Sequence, residues 1–389
     1  MTNNKLLIGL ASVGLYLLTT GISYSLFSNS DSGQTLSPTQ TTKKNEFNAL
    51  EFDNQAPKTE ECPLNGAMYS KEQRSWWEKH RPLGVMIENS VDARPQSGMA
   101  FADVIYEAIA EGGITRFLNV FYCQDAGIIG PVRSARTYFL DFISEYGLYP
   151  LYAHVGGANT PGPANALGQI GDYGWSVYND LNQFSIGFPT FKRDESRLGR
   201  PVATEHTMYS TTSQLWAVGA KRGLTNRDKD GDEWDSEFVK YSFKDDVELE
   251  DRPVSQKITV EFWSSQPDYG VTWGYDKATN TYLRTNAGKV HLDNNTKKQF
   301  APKNIVILYM KESRANDGYE GNLHEIFGTK GTGTALVFQD GKEITAAWKK
   351  KDREGRTVIT DKKSGKEIQF NRGQIWFQVV PDYNTVVVK

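Results

Sequence analysis

The chain has 389 residues, with 44 Lys and Arg against 47 Asp and Glu and a formal net charge of −3. So near a balance excludes a nucleic-acid partner recruited by bulk charge. The length suits about two folded domains, and 12% aromatic residues with 9 Trp fit well-filled cores or exposed aromatic binding surfaces.

Residues 6–30 carry no charge. The apolar run from Leu6 to Phe27 is long enough to cross a bilayer, which needs roughly 20 residues. Lys5 before it and Asp31 after it place the body of the chain outside the cytoplasm. Residues 1–30 therefore read as a single-pass anchor or uncleaved signal in the cytoplasmic membrane; a cleaved signal peptide is the rival, with a shorter apolar core. Residues 31–60 are polar and read as a disordered tether. Cys62 and Cys123 form one disulfide outside the cytoplasm or stay as two buried thiols.

Residues 61–225 read as a mixed-sheet α/β domain. Arg81 to Asn89 has the pattern of a buried strand, and Ala93-Arg-Pro-Gln-Ser-Gly98 that of a loop. The stretch 102–122 reads as two strands around Gly112-Gly113, a pair suited to a tight hairpin turn. A regular hairpin sets Glu111 opposite Ile114, Ile109 opposite Arg116 and Glu107 opposite Leu118, so Glu107, Glu111 and Arg116 share one face. Gly130-Pro131 then suits a helix entry, and Val132, Phe139, Phe142 and Ile143 recur at helical spacing. That helix carries Arg133 and Arg136 in its first turn, where the macrodipole prefers anions. Two cations there call for carboxylates or an anionic ligand. Leu148 to Gly157 reads as another strand, with His154 near its end, and residues 172–194 as a loop lid.

Residues 226–252 read as an acidic linker. Asn226, Asp228, Asp230, Asp232 and Glu237, with Gly231 at the sixth position, fit the spacing of a calcium-binding loop. The plainer reading is an acidic surface loop that needs no cofactor, with a calcium ion on a lone loop as the alternative. Residues 253–389 read as a smaller β-rich antiparallel domain, with strands over 257–263, 281–284, 304–309, 335–338, 357–360 and 375–379. The chain as a whole is of the α+β or α/β class.

Arg81-Pro-Leu, Glu88-Asn89, Ala93-Arg-Pro-Gln-Ser-Gly98, Ala102-Asp103, Tyr106-Glu107, Glu111-Gly-Gly-Ile-Thr-Arg116, Gly130-Pro-Val-Arg-Ser-Ala-Arg136 and Glu205-His206 together resemble the YerB-like bacterial lipoproteins. The resemblance covers roughly residues 78 to 385 and implies an N-terminal and a C-terminal domain of unknown function. It also implies a place in the cell envelope, outside the cytoplasmic membrane. It implies no activity. The N-terminal apolar run has no cysteine, so the lipid attachment of that family gives way to a membrane-spanning anchor.

Two functional readings follow. As a binding module, Arg94, Arg116, Arg133 and Arg136 hold a carboxylate or phosphate, with Glu88, Asp103, Ser134 and His206 around them. The partner is then an anionic wall component or an envelope protein. As a wall-modifying hydrolase, Glu107 and Glu111 act as acid and base, and His154 is a further candidate base. No Gly-x-Ser-x-Gly, phosphate loop or His-Glu-x-x-His is present.

Overall fold

The computed structural model describes residues 44–389, which form one compact unit. The anchor expected over 1–30, and the tether up to residue 43, lie outside the described residues. The rest of the expected tether, 44–60, is instead packed on the fold, with Ala49 buried, the Ile128 amide donating to the Phe47 carbonyl (2.9 Å) and the Leu50 amide to Asp125 Oδ2 (3.0 Å). Among the described residues no helix is long and apolar enough to cross a membrane.

A ten-stranded mixed sheet organises the chain. Its strands are, in chain order, β1 (Leu83–Glu88), β2 (Val104–Glu111), β3 (Ile114–Phe121), β4 (Leu151–His154), β5 (Asp180–Asn182), β6 (Asn304–Met310), β7 (Gly331–Gln339), β8 (Lys342–Lys350), β9 (Val358–Asp361) and β10 (Ile375–Pro381). Their spatial order is β9-β8-β7-β6-β10-β2-β3-β1-β4-β5. The central strands β1, β2, β3, β6 and β10 are almost wholly buried. That fits their continuous apolar runs, since both faces are covered.

The sheet joins the two halves of the sequence. β10 pairs in parallel with β6 on one side and with β2 on the other. A separate five-stranded antiparallel sheet, in the order Lys289–Val290, Thr281–Asn286, Val271–Asp276, Lys257–Val260 and Val386–Val388, packs beside it. Its two central hairpin strands alternate buried and half-buried positions, as one covered face requires. Cys62 and Cys123 form a disulfide.

Two local expectations are corrected. The hairpin turns at Gly112 and Gly113, both at positive φ, +56° and +82°, as a tight two-residue connection requires. Its register, however, shifts by one residue between Ile109 and Glu111. Past this bulge Ile109 faces Thr115, Ala108 faces Arg116 and Glu107 faces Phe117. An extra residue moves every later side chain to the opposite face. Glu107 and Glu111 therefore project from opposite faces, not one.

The helix expected after Gly130-Pro131 begins only at Thr137 and runs to Ile143, with Arg136 as its extended N-cap. Residues 131–135 are instead laced between strands. The amide of Glu88 donates to the Pro131 carbonyl (3.0 Å), that of Arg133 to Met86 (2.9 Å), that of Val132 to Met208 (2.7 Å) and that of Ala135 to Gly156 (2.9 Å). Those long-range bonds satisfy the backbone in extended form, so the helix has no claim on it.

Candidate functional site

Three groups of charged residues emerge. The first lies in the seam between the two sheets. Glu107 is wholly buried and accepts from Arg284 Nη2 (2.8 Å), Thr115 Oγ1 (3.1 Å), Gln378 Nε2 (3.0 Å) and Trp376 Nε1 (3.3 Å). The Arg284 guanidinium lies over the rings of Trp376, at 4.6 Å, and Trp273, at 4.9 Å. Its Nε also meets His291 Nδ1 (3.0 Å). Burial and the neighbouring guanidinium hold the His291 imidazole neutral, far below its ordinary value.

The second group lies on the opposite face of the hairpin. Glu111 pairs with Arg116 (2.9 Å) and with Arg136. Burial alone would raise the Glu111 carboxyl, but the two guanidiniums more than reverse it, so it stays ionised well below the usual carboxylate range. Arg116 and Arg136 are buried, and they also donate to the carbonyls of Ser134 (3.0 Å) and Ala135 (2.6 Å). The carboxylate that Arg136 calls for is thus Glu111; both guanidiniums of this cluster are buried, and the half-buried Glu111 carboxylate answers them.

The third group is open. Arg133 reaches a cleft of about 630 Å³ lined by Ser134, Gly156, Gly157, Phe184, Arg193 and Glu205 among others. Its side chain is 27% exposed, and the carboxylate of Glu88, at the end of β1, lies 3.5 Å from Nε. Among the described residues the Arg133 guanidinium makes no closer polar contact, and its Nε has no hydrogen-bond partner. Glu88 is buried and also accepts from His206 Nδ1 (2.9 Å). That bond raises the imidazole above its ordinary value. Arg193 donates to the Thr204 carbonyl and to Thr207 Oγ1 (3.2 Å), across the cleft's rim.

The remaining expected site residues are tied elsewhere. Arg94 donates to Asn89 Oδ1 (3.0 Å) and to the Asp268 carbonyl (2.9 Å), and burial lowers its pKa to about 10. Asp103 accepts the amides of Tyr122 (2.8 Å) and Cys123 (2.9 Å) beside the disulfide, and burial raises its carboxyl to about 7. His154 is fully buried between Asp180 Oδ1 (2.6 Å) and the Gly156 carbonyl (2.6 Å). Its ring therefore supports the cleft floor from behind rather than facing it. In the 226–237 loop, Asp228 Oδ1 accepts the amides of Asp230 (2.9 Å) and Asp232 (3.0 Å), and Arg227 pairs with Glu233. Among the described residues the one gathering of metal-ligand types is Cys62, Asp103 and Cys123, where the disulfide uses both sulfurs.

Arg284, Arg193 and Phe184 were not singled out by the sequence. Arg284 sits at a buried position of an alternating strand, a pattern that flags a charged residue facing inward. Arg193 has no such signal.

With this geometry in view, comparison with known proteins gives a consistent answer. The model of the N-terminal domain of DUF3048, a protein of unknown function, matches residues 66–225, and that of the DUF3048 C-terminal domain matches residues 258–377. The chain belongs to this family. It is 29% identical over 318 residues to the protein named "Putative lipoprotein YerB" of Bacillus subtilis (strain 168), covering 80% of this chain and 84% of that one. The crystal structure of the YerB protein from Bacillus subtilis shares the fold, with a TM-score of 0.69 at 24% identity over 85% of this chain and 100% of that chain.

Proposed function

We propose that this DUF3048 protein is an extracytoplasmic envelope protein, held at the cytoplasmic membrane through its N-terminal apolar run, whose Arg133 cleft binds an anionic wall component. The relative's name, a lipoprotein, supports the location. The observation that carries the binding reading is Arg133 itself. Of the two arginines three apart, Arg136 is consumed by Glu111, whereas Arg133 enters an open cleft with its guanidinium short of partners. A phosphate or carboxylate fits the planar fork, and Arg193 adds positive charge in the same cleft, while His206 occupies the Glu88 carboxylate from the buried side.

The paired-glutamate hydrolase finds no support in this arrangement. Glu107 is sealed under Arg284, and Glu111 is held ionised by two arginines on the other face. Glu107 is out of a substrate's reach, and Glu111 has no proton to give one. The test is binding of purified wall fragments to the full chain and to Arg133→Ala. A loss of about tenfold, the size of one charge-assisted contact, that shrinks at high salt is expected. Equal binding by both proteins removes the site from consideration.

A further inference from the structure

A second cleft, remote in sequence from the first, carries its own unmatched charges. Glu312–Arg314 and Glu325–Phe327 form an antiparallel ribbon in which Arg314 faces Glu325 and Glu312 faces Phe327. Residues paired in this way share a face, so Glu312, Arg314 and Glu325 project together. They line a cleft of about 720 Å³ whose other walls are Glu261 to Ser265 and Tyr383 to Thr385.

Glu312 is fixed there by Trp263 Nε1 (3.1 and 3.2 Å) and Tyr383 Oη (2.5 Å). Glu325 is not fixed. It is only 2% exposed, yet its carboxyl makes no hydrogen bond or ion pair among the described residues. The Arg314 side chain across from it is exposed and equally without such a partner. Opposite charges set directly across a ribbon ordinarily close on one another. A buried carboxyl left unpaired costs free energy that a ligand can offset. Burial and the nearby Glu312 raise the Glu325 carboxyl to about 7, with Arg314 opposing.

We propose that this cleft binds the zwitterionic head of an amino acid, its ammonium held by Glu325 and Glu312 and its carboxylate by Arg314. An ammonium has three donors and suits two carboxylates, and a carboxylate suits the guanidinium fork. Trp263 and Tyr383 hold the Glu312 carboxylate in place for the ammonium.

The experiment is calorimetric titration of the full chain with D- and L-alanine, alaninamide, N-acetylalanine and calcium chloride. Alanine of at least one hand is expected to bind. Removing its ammonium by acetylation, or its carboxylate by amidation, should weaken binding about tenfold or more. Glu325→Gln and Arg314→Ala should do the same to alanine itself. Glu325→Gln should also unfold at a higher temperature than the parent, because an unpaired charge is gone, which separates lost binding from lost folding. Failure of both alanines to bind, binding that survives Glu325→Gln, or binding of calcium in their place would each overturn the assignment.

Discussion

Glu107 with Arg284 and His291, and Glu88 with Arg133 and His206, are the same three residue types arranged to opposite effect. In the seam, every member is buried and the guanidinium is packed between indoles. At the cleft, the carboxylate is buried but the guanidinium is partly in solvent. The histidines report the difference. His291 meets the arginine and is driven neutral, whereas His206 meets the glutamate and is drawn toward its charged form. A charged triad is therefore no sign of a site by itself. What marks the cleft is a charge left partly uncompensated where solvent can enter.

The hardest way to break this contrast is Glu107→Gln. It strands Arg284 in the seam without an anion, and removing one partner of a buried pair costs about 3–5 kcal/mol. Urea denaturation should show a loss of that order; a loss below about 1 kcal/mol would mean that the seam is wetter than the geometry implies. Glu111→Gln should follow, at about 2–4 kcal/mol, since Arg116 and Arg136 then share the other face with no carboxylate between them. Arg133→Ala should change stability by less than about 1 kcal/mol, because its one ion pair is long and partly solvated. If the cleft mutant proves as destabilising as the seam mutant, the two triads are alike and the binding proposal loses its basis.

Much of the scaffold was legible beforehand, and the failures share a cause. The hairpin announced itself through Gly112-Gly113, because few residues tolerate two successive positive φ angles. The bulge did not. Ala110 looks like any strand residue, and the single added position sets Glu107 and Glu111 on opposite faces. The arginine helix failed for a similar reason. Val132 keeps helical spacing with Phe139, but amide bonds to Met86, Met208 and Gly156 hold the segment extended. Arg284, the partner of Glu107, lies 177 residues away in sequence, and strand β8 carries lysines at both ends with an alanine pair at its centre. Local pattern reads local preference; these features are decided by contacts made across the fold.

The gentlest probe is pH. The folded-state value of His206 lies above its ordinary 6.5 because Glu88 accepts its hydrogen bond. A raised folded value means that the folded state holds the proton more tightly than the unfolded chain. The His206–Glu88 contribution to stability is thus fully present below the unfolded value and is lost as pH rises through the folded one. His206→Gln should erase that increment, so parent and mutant differ most in mildly acidic buffer and converge above neutrality. Denaturation midpoints measured from pH 5 to pH 8 check this. The opposite trend, with the difference growing as pH rises, would show that His206 is held neutral. It would then resemble His291, and the contrast between the two triads would fail.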